Sequence, residues 1–304
     1  MLPPTTSIGD VHLTVADVTS AADFYRNVLG FRAAGSSGAR TVFLSADGRY
    51  PYHVILTGDP GARPSPHRAA GLYHFAILLP THKDLGSTLR HLVEVGWPLQ
   101  GASDHGVSEA LYLADPEGNG IEIYADRARG RWPRRDRDLV MPTRPLGIDE
   151  LLAESEGGWE GFPSGSRIGH VHLRVADLKR SEAFYGGMLG FDVTVRTYPG
   201  ALFLAAGGYH HHIGLNTWAG TDIPPASPEA RGLRTFTIRL SDRAELGRLI
   251  RRVREAGVIV ESAVDHGVRI AVTVRDPDGI GVMLAADVPG QNSWEDERID
   301  PTTL

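Results

Sequence analysis

Three side chains in the first half of the chain combine residue types and settings that could hold a metal ion. His12 lies between Val11 and Leu13, His74 between Tyr73 and Phe75, and Glu122 between Ile121 and Ile123. Neighbours on a strand point to opposite faces, so the apolar flanks can pack into a core while each polar residue faces the other side of a sheet. Burying a carboxylate framed by isoleucines costs on the order of several kcal/mol without a cation or a hydrogen-bond partner. Two neutral imidazoles and one carboxylate, with further positions left open, form the facial triad suited to non-haem Fe(II), or to Mn(II). Tyr112, between Leu111 and Leu113, sits in the same kind of strand setting.

The strands carrying these residues belong to a repeating pattern. IGDVHLTVADVTSAADFYRNVLGF at residues 8–31 returns as IGHVHLRVADLKRSEAFYGGMLGF at 168–191, and DHGVSEALYLADPEGNGIEIYAD at 104–126 returns as DHGVRIAVTVRDPDGIGVMLAAD at 265–287. The two pairs are offset by 160 and 161 residues. Repeats of this length mark duplicated structural units. A weaker echo within the first half, YHFAI at 73–77 followed by LGSTLRHLVEVGW at 85–97, raises the number of modules to four.

Each module reads as a strand, a helix and short strands. Val11, Leu13 and Val15 alternate as in a half-buried strand. Ala21, Phe24, Tyr25, Val28 and Leu29 follow helical spacing after Asp17, and Gly30 stands where a helix ends. Residues 115–120 (DPEGNG) form a turn before the last strand. These elements predict an α+β fold of four βαβββ modules, with the two modules of the first half sharing one curved sheet and bringing His12, His74 and Glu122 together. The expected organisation is a metal-binding catalytic domain at 1–126, a linker at 127–166 rich in Pro, Gly and Arg, a second domain at 167–287 and an acidic, peripheral tail at 288–304.

Composition narrows the chemistry. None of the 304 residues is Cys, which excludes thiolate nucleophiles, thiolate zinc sites and iron–sulfur clusters, and leaves imidazole and carboxylate as metal donors. A net charge of -6 offers no field for a phosphate backbone, so a small molecule is expected rather than nucleic acid. The N-terminus lacks a signal-peptide pattern and no stretch suits a membrane span, so the chain is expected in the cytoplasm without a membrane partner.

The modules, the VHLxV and FYxxxLGF openings and DHGVSEALYLADPEGNGIEIY resemble the vicinal oxygen chelate superfamily of glyoxalases, bleomycin resistance proteins and extradiol dioxygenases. Within it the chain is similar to two-domain bacterial catechol-2,3-dioxygenase-like proteins, which share the GYHHHxGLNTW stretch found here at 208–218. The resemblance implies two tandem vicinal-oxygen-chelate domains, each with mixed curved sheets forming a cup. It places the metal ligands on His12, His74 and Glu122, an acid/base on His53, and substrate-contacting groups on His105 and Tyr112. The implied activity is ring cleavage of a catechol-type aromatic by O2 beside its hydroxyls, using Fe(II) or Mn(II); a homo-oligomer is compatible with it. The superfamily also offers a glyoxalase-like isomerase or lyase on Zn(II), Ni(II) or Mn(II), and an aromatic- or antibiotic-binding resistance protein without catalysis. In glyoxalase-like members a fourth ligand, generally Glu, comes from the strand that here carries His53.

In the second half His172 answers His12, but Thr235, Met283 and Thr273 answer His74, Glu122 and Tyr112. His212 and His266 remain opposite His53 and His105. The second half therefore reads as a degenerate scaffold, with an altered site on His172 and His210–His212 as the alternative.

Overall fold

The alternating strands and amphipathic helices form where the sequence places them. Module one comprises β1 (Ser7–Val15), α1 (Val18–Asn27), β2 (Arg32–Ser37), β3 (Thr41–Ser45) and β4 (Val54–Gly58). Module two comprises β5 (Gly71–Leu79), α2 (His82–Glu94), β6 (Gly101–Asp104), β7 (Ser108–Ala114) and β8 (Gly120–Asp126). The connection adds β9 (Arg134–Arg135), β10 (Asp138–Leu139) and α3 (Ile148–Glu154). Module three holds β11 (Arg167–Arg174), α4 (Leu178–Glu182) running into a π-helical turn, β12 (Asp192–Val195), β13 (Ala201–Ala205) and β14 (Ile213–Asn216). Module four holds β15 (Gly232–Leu240), α5 (Arg243–Glu255), β16 (Val260–Gly267), β17 (Arg269–Arg275) and β18 (Gly281–Asp287), followed by β19 (Trp294–Arg298). This computed structural model describes residues 1–136, 138–155, 158–291 and 294–300; the parts of the expected linker and tail at 137, 156–157, 292–293 and 301–304 lie outside the described residues.

Two mixed sheets result, and each takes one module from each half. One runs β19-β16-β17-β18-β15-β1-β4-β3-β2, the other β12-β13-β14-β11-β5-β8-β7-β6. The first strands of partner modules pair antiparallel: β1 with β15, and β5 with β11. The α+β fold of four modules in two tandem repeats is thus present, but the two modules of the first half do not share a sheet. His12 lies opposite Thr235 on one sheet, whereas His74 lies opposite His172 on the other.

A bulge decides which side chains enter each cup. In β11 the core residues are Ile168, Val171, Leu173 and Val175. Ile168 and Val171 are an odd number of positions apart, so regular alternation would send one of them to the wrong face; the ladder is interrupted between Ile168 and His170 and restores the parity. His170 and His172 then face the cup. Gly169 is required at the interruption, because a Cβ there would lie 1.8 Å from the Tyr124 hydroxyl. Gly169→Ala should therefore destabilise the protein by about 1–3 kcal/mol, the range for overpacking a close-packed site, as read by urea denaturation.

The faces opposite the cups merge into one apolar core with the helices, including Val11, Leu13, Phe75, Ile77, Val171, Leu173, Phe236 and Ile238. The repeated motifs are tied together inside it. The Tyr25 hydroxyl of the FYxxxLGF motif donates to Asp115 of the DPEGNG turn at 3.0 Å, and Tyr185 donates to Asp276 at 2.9 Å in the other copy. Asp115 also accepts from the backbone of Glu117 and Asn119, so the turn and the module-one helix are held by one buried carboxylate.

The connection between halves is more than a solvated linker. Helix α3 packs so closely on α2 that a Cβ on Gly86 would lie 2.4 Å from the Leu151 carbonyl oxygen. Trp132, Leu139 and Met141 pack with Phe203 and Tyr209 against the eight-stranded sheet. The tail is also built in: β19 extends the nine-stranded sheet along β16.

Candidate metal centre

His74, Glu122 and His170 come together as buried residues whose ligand atoms all lie within 4.8 Å of one another. β5 carries His74, β8 carries Glu122 and β11 carries His170, so three adjacent strands from both halves build the cluster. His170 Nε2 is 3.2 Å from Glu122 Oε2 and donates to it. His74 Nε2 is 3.0 Å from the same oxygen but lacks the alignment of a hydrogen bond and has no other partner among the described residues. Burial opposes the charge on Glu122, but the adjacent imidazoles of His170 and His74 overcome it and hold the carboxyl well below its usual range. Burial pushes His170 down to about 4, against the pull of Glu122. A buried carboxylate beside a neutral imidazole and an unpartnered ring nitrogen is a donor set suited to a divalent cation, and these residues fit one.

The cluster opens into a cavity of about 420 Å³. Tyr112 and His105 line it together: the Tyr112 hydroxyl lies 2.7 Å from His105 Nε2, while His105 Nδ1 donates to the Pro142 carbonyl at 2.9 Å. That second bond makes Nε2 the acceptor, so the phenol donates to it. Burial first, then the negative charge of Glu122, raises the Tyr112 pKa well above the ordinary phenol and keeps it protonated. His211 forms another part of the wall, its ring 4.0 Å from that of His170, and burial followed by the neighbouring His170 keeps it neutral. His172 stands edge-on to His74 at 5.0 Å, with an Nε2 that has no hydrogen-bond partner among the described residues. Exposed Tyr73 and Trp218, 5.3 Å apart and edge to face, add an aromatic rim.

Glyoxalase/Bleomycin resistance protein/Dioxygenase superfamily is the description of the family model that matches residues 7–123 and again 167–284. The chain belongs to this superfamily. A catechol-2,3-dioxygenase of Bacillus subtilis (strain 168) is 45% identical over 277 residues, covering 90% of this chain and 94% of that protein. Biphenyl-2,3-diol 1,2-dioxygenase 3 of Rhodococcus globerulus is 28% identical over 121 residues, 40% of this chain and 63% of that one. Among solved structures, a putative dioxygenase from Bacillus subtilis superposes with a TM-score of 0.67 at 16% identity, covering 93% of this chain and 86% of that one. Glyoxalase I from Zea mays gives a TM-score of 0.58 at 17% identity, covering 93% and 92%. At these identities the structures share the superfamily fold.

Of the six residues assigned to the site from the sequence, four meet in this cup: His74, Glu122, His105 and Tyr112. His12 does not join them. It is half-buried in the nine-stranded sheet, where its Nε2 lies 2.7 Å from Thr57 Oγ1, and desolvation of the ring first, with Arg234 adding repulsion, lowers its pKa to about 3. His53 is also elsewhere, locking a turn: Nε2 donates to the Ser166 carbonyl at 2.7 Å and Nδ1 accepts from Ala46 N–H at 3.3 Å. His212 accepts from Ala206 N–H in the same way, which aligns His53 with His212 and puts Tyr52 opposite His211.

The half read as scaffold supplies His170, which was not singled out as a site residue, and His211, which entered only within the alternative site on His172 and His210–His212. The signal for His170 lay in the repeat, where IGH in one copy faces IGD in the other. Asp10, its counterpart, forms a buried ion pair with Arg269. Trp294 of β19 fills that second cup, its ring 4.8 Å from Phe43, 5.7 Å from Tyr52 and 4.2 Å from His266. The nine-stranded sheet thus has an aromatic plug and an ion pair where the eight-stranded sheet has a cavity and the His74–Glu122–His170 cluster.

Proposed function

We propose that this superfamily member is an extradiol dioxygenase, which opens a catechol-type ring with O2 on a divalent metal, Fe(II) or alternatively Mn(II), held by His74, His170 and Glu122. The observation that carries the reading is the clustering of these donors at a cavity whose wall holds His211, Tyr112 and His105. The 45% identity to a catechol-2,3-dioxygenase over most of the chain supports it. Glu122 is the sole carboxylate in the cluster among the described residues, leaving positions open for a chelating substrate.

Such an ion, when bound, supplies positive charge that favours ionisation of the catechol hydroxyls and a route for electrons to dioxygen. The protein's own groups manage orientation and protons. Tyr73 and Trp218 are placed to flank an aromatic ring at the rim. His211, neutral and against His170, is placed to accept a substrate proton and return it later, a role worth about 10²–10⁴-fold. Tyr112, kept protonated, rests its one proton on His105 and can turn it toward developing negative charge on a bound substrate. The packed aromatic wall limits water in the cup.

Protein purified anaerobically should contain about one divalent metal ion per chain by elemental analysis and consume oxygen with substituted catechols. A chelator should abolish both, and Fe(II) should restore them. Oxygen uptake that survives chelation sinks the proposal. Metal binding without oxygen uptake on any catechol would instead favour a glyoxalase-like isomerase or lyase, and ligand binding that persists without metal a resistance protein.

A further inference from the structure

We propose that Asp126 and His210 are positioning residues that fix the tautomer of His211, so that its Nε2 meets the cavity without a proton. This rests on the reading of His211 as the proton acceptor in the dioxygenase cup. His210 Nε2 lies 2.9 Å from Asp126 Oδ1, and His210 Nδ1 lies 2.8 Å from His211 Nδ1. A carboxylate only accepts, so His210 must carry its proton on Nε2 and donate it to Asp126. Its Nδ1 then presents a lone pair. Two lone pairs cannot face each other at this distance, so His211 Nδ1 must be protonated and donate. The free lone pair of His211 is left on Nε2, the nitrogen available to the cavity.

The surroundings hold this chain of groups in one orientation. Tyr209 lies over His210 with ring centres 4.0 Å apart, Trp132 packs edge-on at 5.3 Å, and the Tyr209 hydroxyl donates to the same Asp126 oxygen at 3.2 Å. Asp126 ends β8, only four residues beyond Glu122, so the strand that supplies the metal carboxylate also anchors the acceptor side.

The duplicated half provides an internal control. Asp287 answers Asp126, and Tyr50 donates to Asp287 as Tyr209 donates to Asp126. Between Tyr50 and Tyr52, however, stands Pro51, where the other copy has His210 between Tyr209 and His211. The tyrosine–aspartate bond is therefore common to both cups, while the two imidazoles occur only in the cup that keeps the metal donors.

The test combines 15N spectra of histidine-labelled, metal-free protein with steady-state oxygen uptake by the Fe(II)-loaded protein. In the unmodified protein His211 should show a protonated Nδ1 and an unprotonated Nε2. Asp126→Leu removes the acceptor, so a proton on His210 Nε2 would be a buried orphan donor and the proton moves to Nδ1, which reverses both tautomers; kcat should fall about 10²–10⁴-fold with KM little changed, as expected for a base held in the wrong tautomer. His210→Asn places an acceptor oxygen near the Nδ1 position and should restore the His211 tautomer and most of kcat. His210→Phe fills the same aromatic enclosure without an acceptor and should be as slow as Asp126→Leu. A His211 protonated on Nε2 in the unmodified protein, or equal kcat for His210→Asn and His210→Phe, overturns the proposal. A protein inactive on every catechol would defeat the dioxygenase reading, while the 15N spectra would still decide the tautomer.

Discussion

His170→Ala should lose metal and ring cleavage together, whereas His12→Ala should keep both. His170 contributes one of the two imidazoles at the cluster, and its removal leaves Glu122 paired with His74 alone. Loss of a residue that merely supports a metal ligand costs about 10–100-fold in affinity or activity, so loss of a ligand should exceed about 100-fold. Removing the hydrogen-bond donor of a buried carboxylate also costs about 1–3 kcal/mol or more, so His170→Ala should be less stable than the starting protein before any metal is added. His170→Asn, which can still donate to Glu122, separates the two effects: stability should recover while metal affinity stays low. His12 stands on the other sheet with Thr57 as its partner, and the donors of the cup do not involve it. Elemental analysis, an oxygen electrode and urea denaturation of the three variants decide the matter. Metal retained by His170→Ala and lost by His12→Ala would mean that His12, and not His170, is the ligand.

The contrast between these two histidines shows what the sequence could carry. His74 and Glu122 were legible because each sits in one strand between apolar neighbours, and both strands belong to the same module. His105 and Tyr112 were legible through the family resemblance, Tyr112 also through its strand setting between Leu111 and Leu113. The third member of the cluster depends on which module supplies the neighbouring strand, and VHLTV, YHFAI, VHLRV and RTFTI are interchangeable as apolar, alternating edges. Partner choice is settled by long-range packing, including that of α3 and the connecting segment, rather than by any local pattern. The bulge at Gly169 hid His170 further: regular alternation carried back from Leu173 puts it on the cup face, but carried forward from the buried Ile168 it puts it in the core. His211 was obscured because three consecutive histidines offer three candidates, and only the bonds of His210 to Asp126 and of His212 to Ala206 show what its two neighbours do.

Acidification should unfold the metal-free protein well before ordinary carboxylates are fully protonated. Burial is the main cause holding both His12 and His212 at about 3, assisted by Arg234 for the first and His210 for the second. In the unfolded chain each titrates near the ordinary value of about 6.5. A folded pKa below the unfolded one means that the contribution to stability is fully present above about pH 6.5 and is lost as pH falls toward the folded value. Between those limits the unfolded state binds protons that the folded state refuses. His170, lowered to about 4, acts in the same direction, although Glu122 beside it moderates the shift. Asp276 acts in the opposite direction: burial raises it to about 6, so the folded state gains a proton first and is favoured as pH falls below that value. Those three imidazoles against Asp276 give a slope of about 2.7 kcal/mol per pH unit between roughly pH 6 and pH 4, at about 1.36 kcal/mol per group and unit, and His172 and His211, also held down by burial, add in the same direction. Two units then remove about 5 kcal/mol, comparable with the whole stability of a marginal protein at about 5–15 kcal/mol. Urea denaturation at half-unit steps from pH 7 to pH 4.5 measures the slope. His212→Asn, which can still accept from Ala206 N–H, and His12→Gln, which can still reach Thr57, should each reduce it by about 1.4 kcal/mol per unit without a comparable loss at pH 7. A stability that stays flat from pH 7 to pH 5 would show that these imidazoles reach protons in the folded state, and the buried positions assigned to them would be wrong.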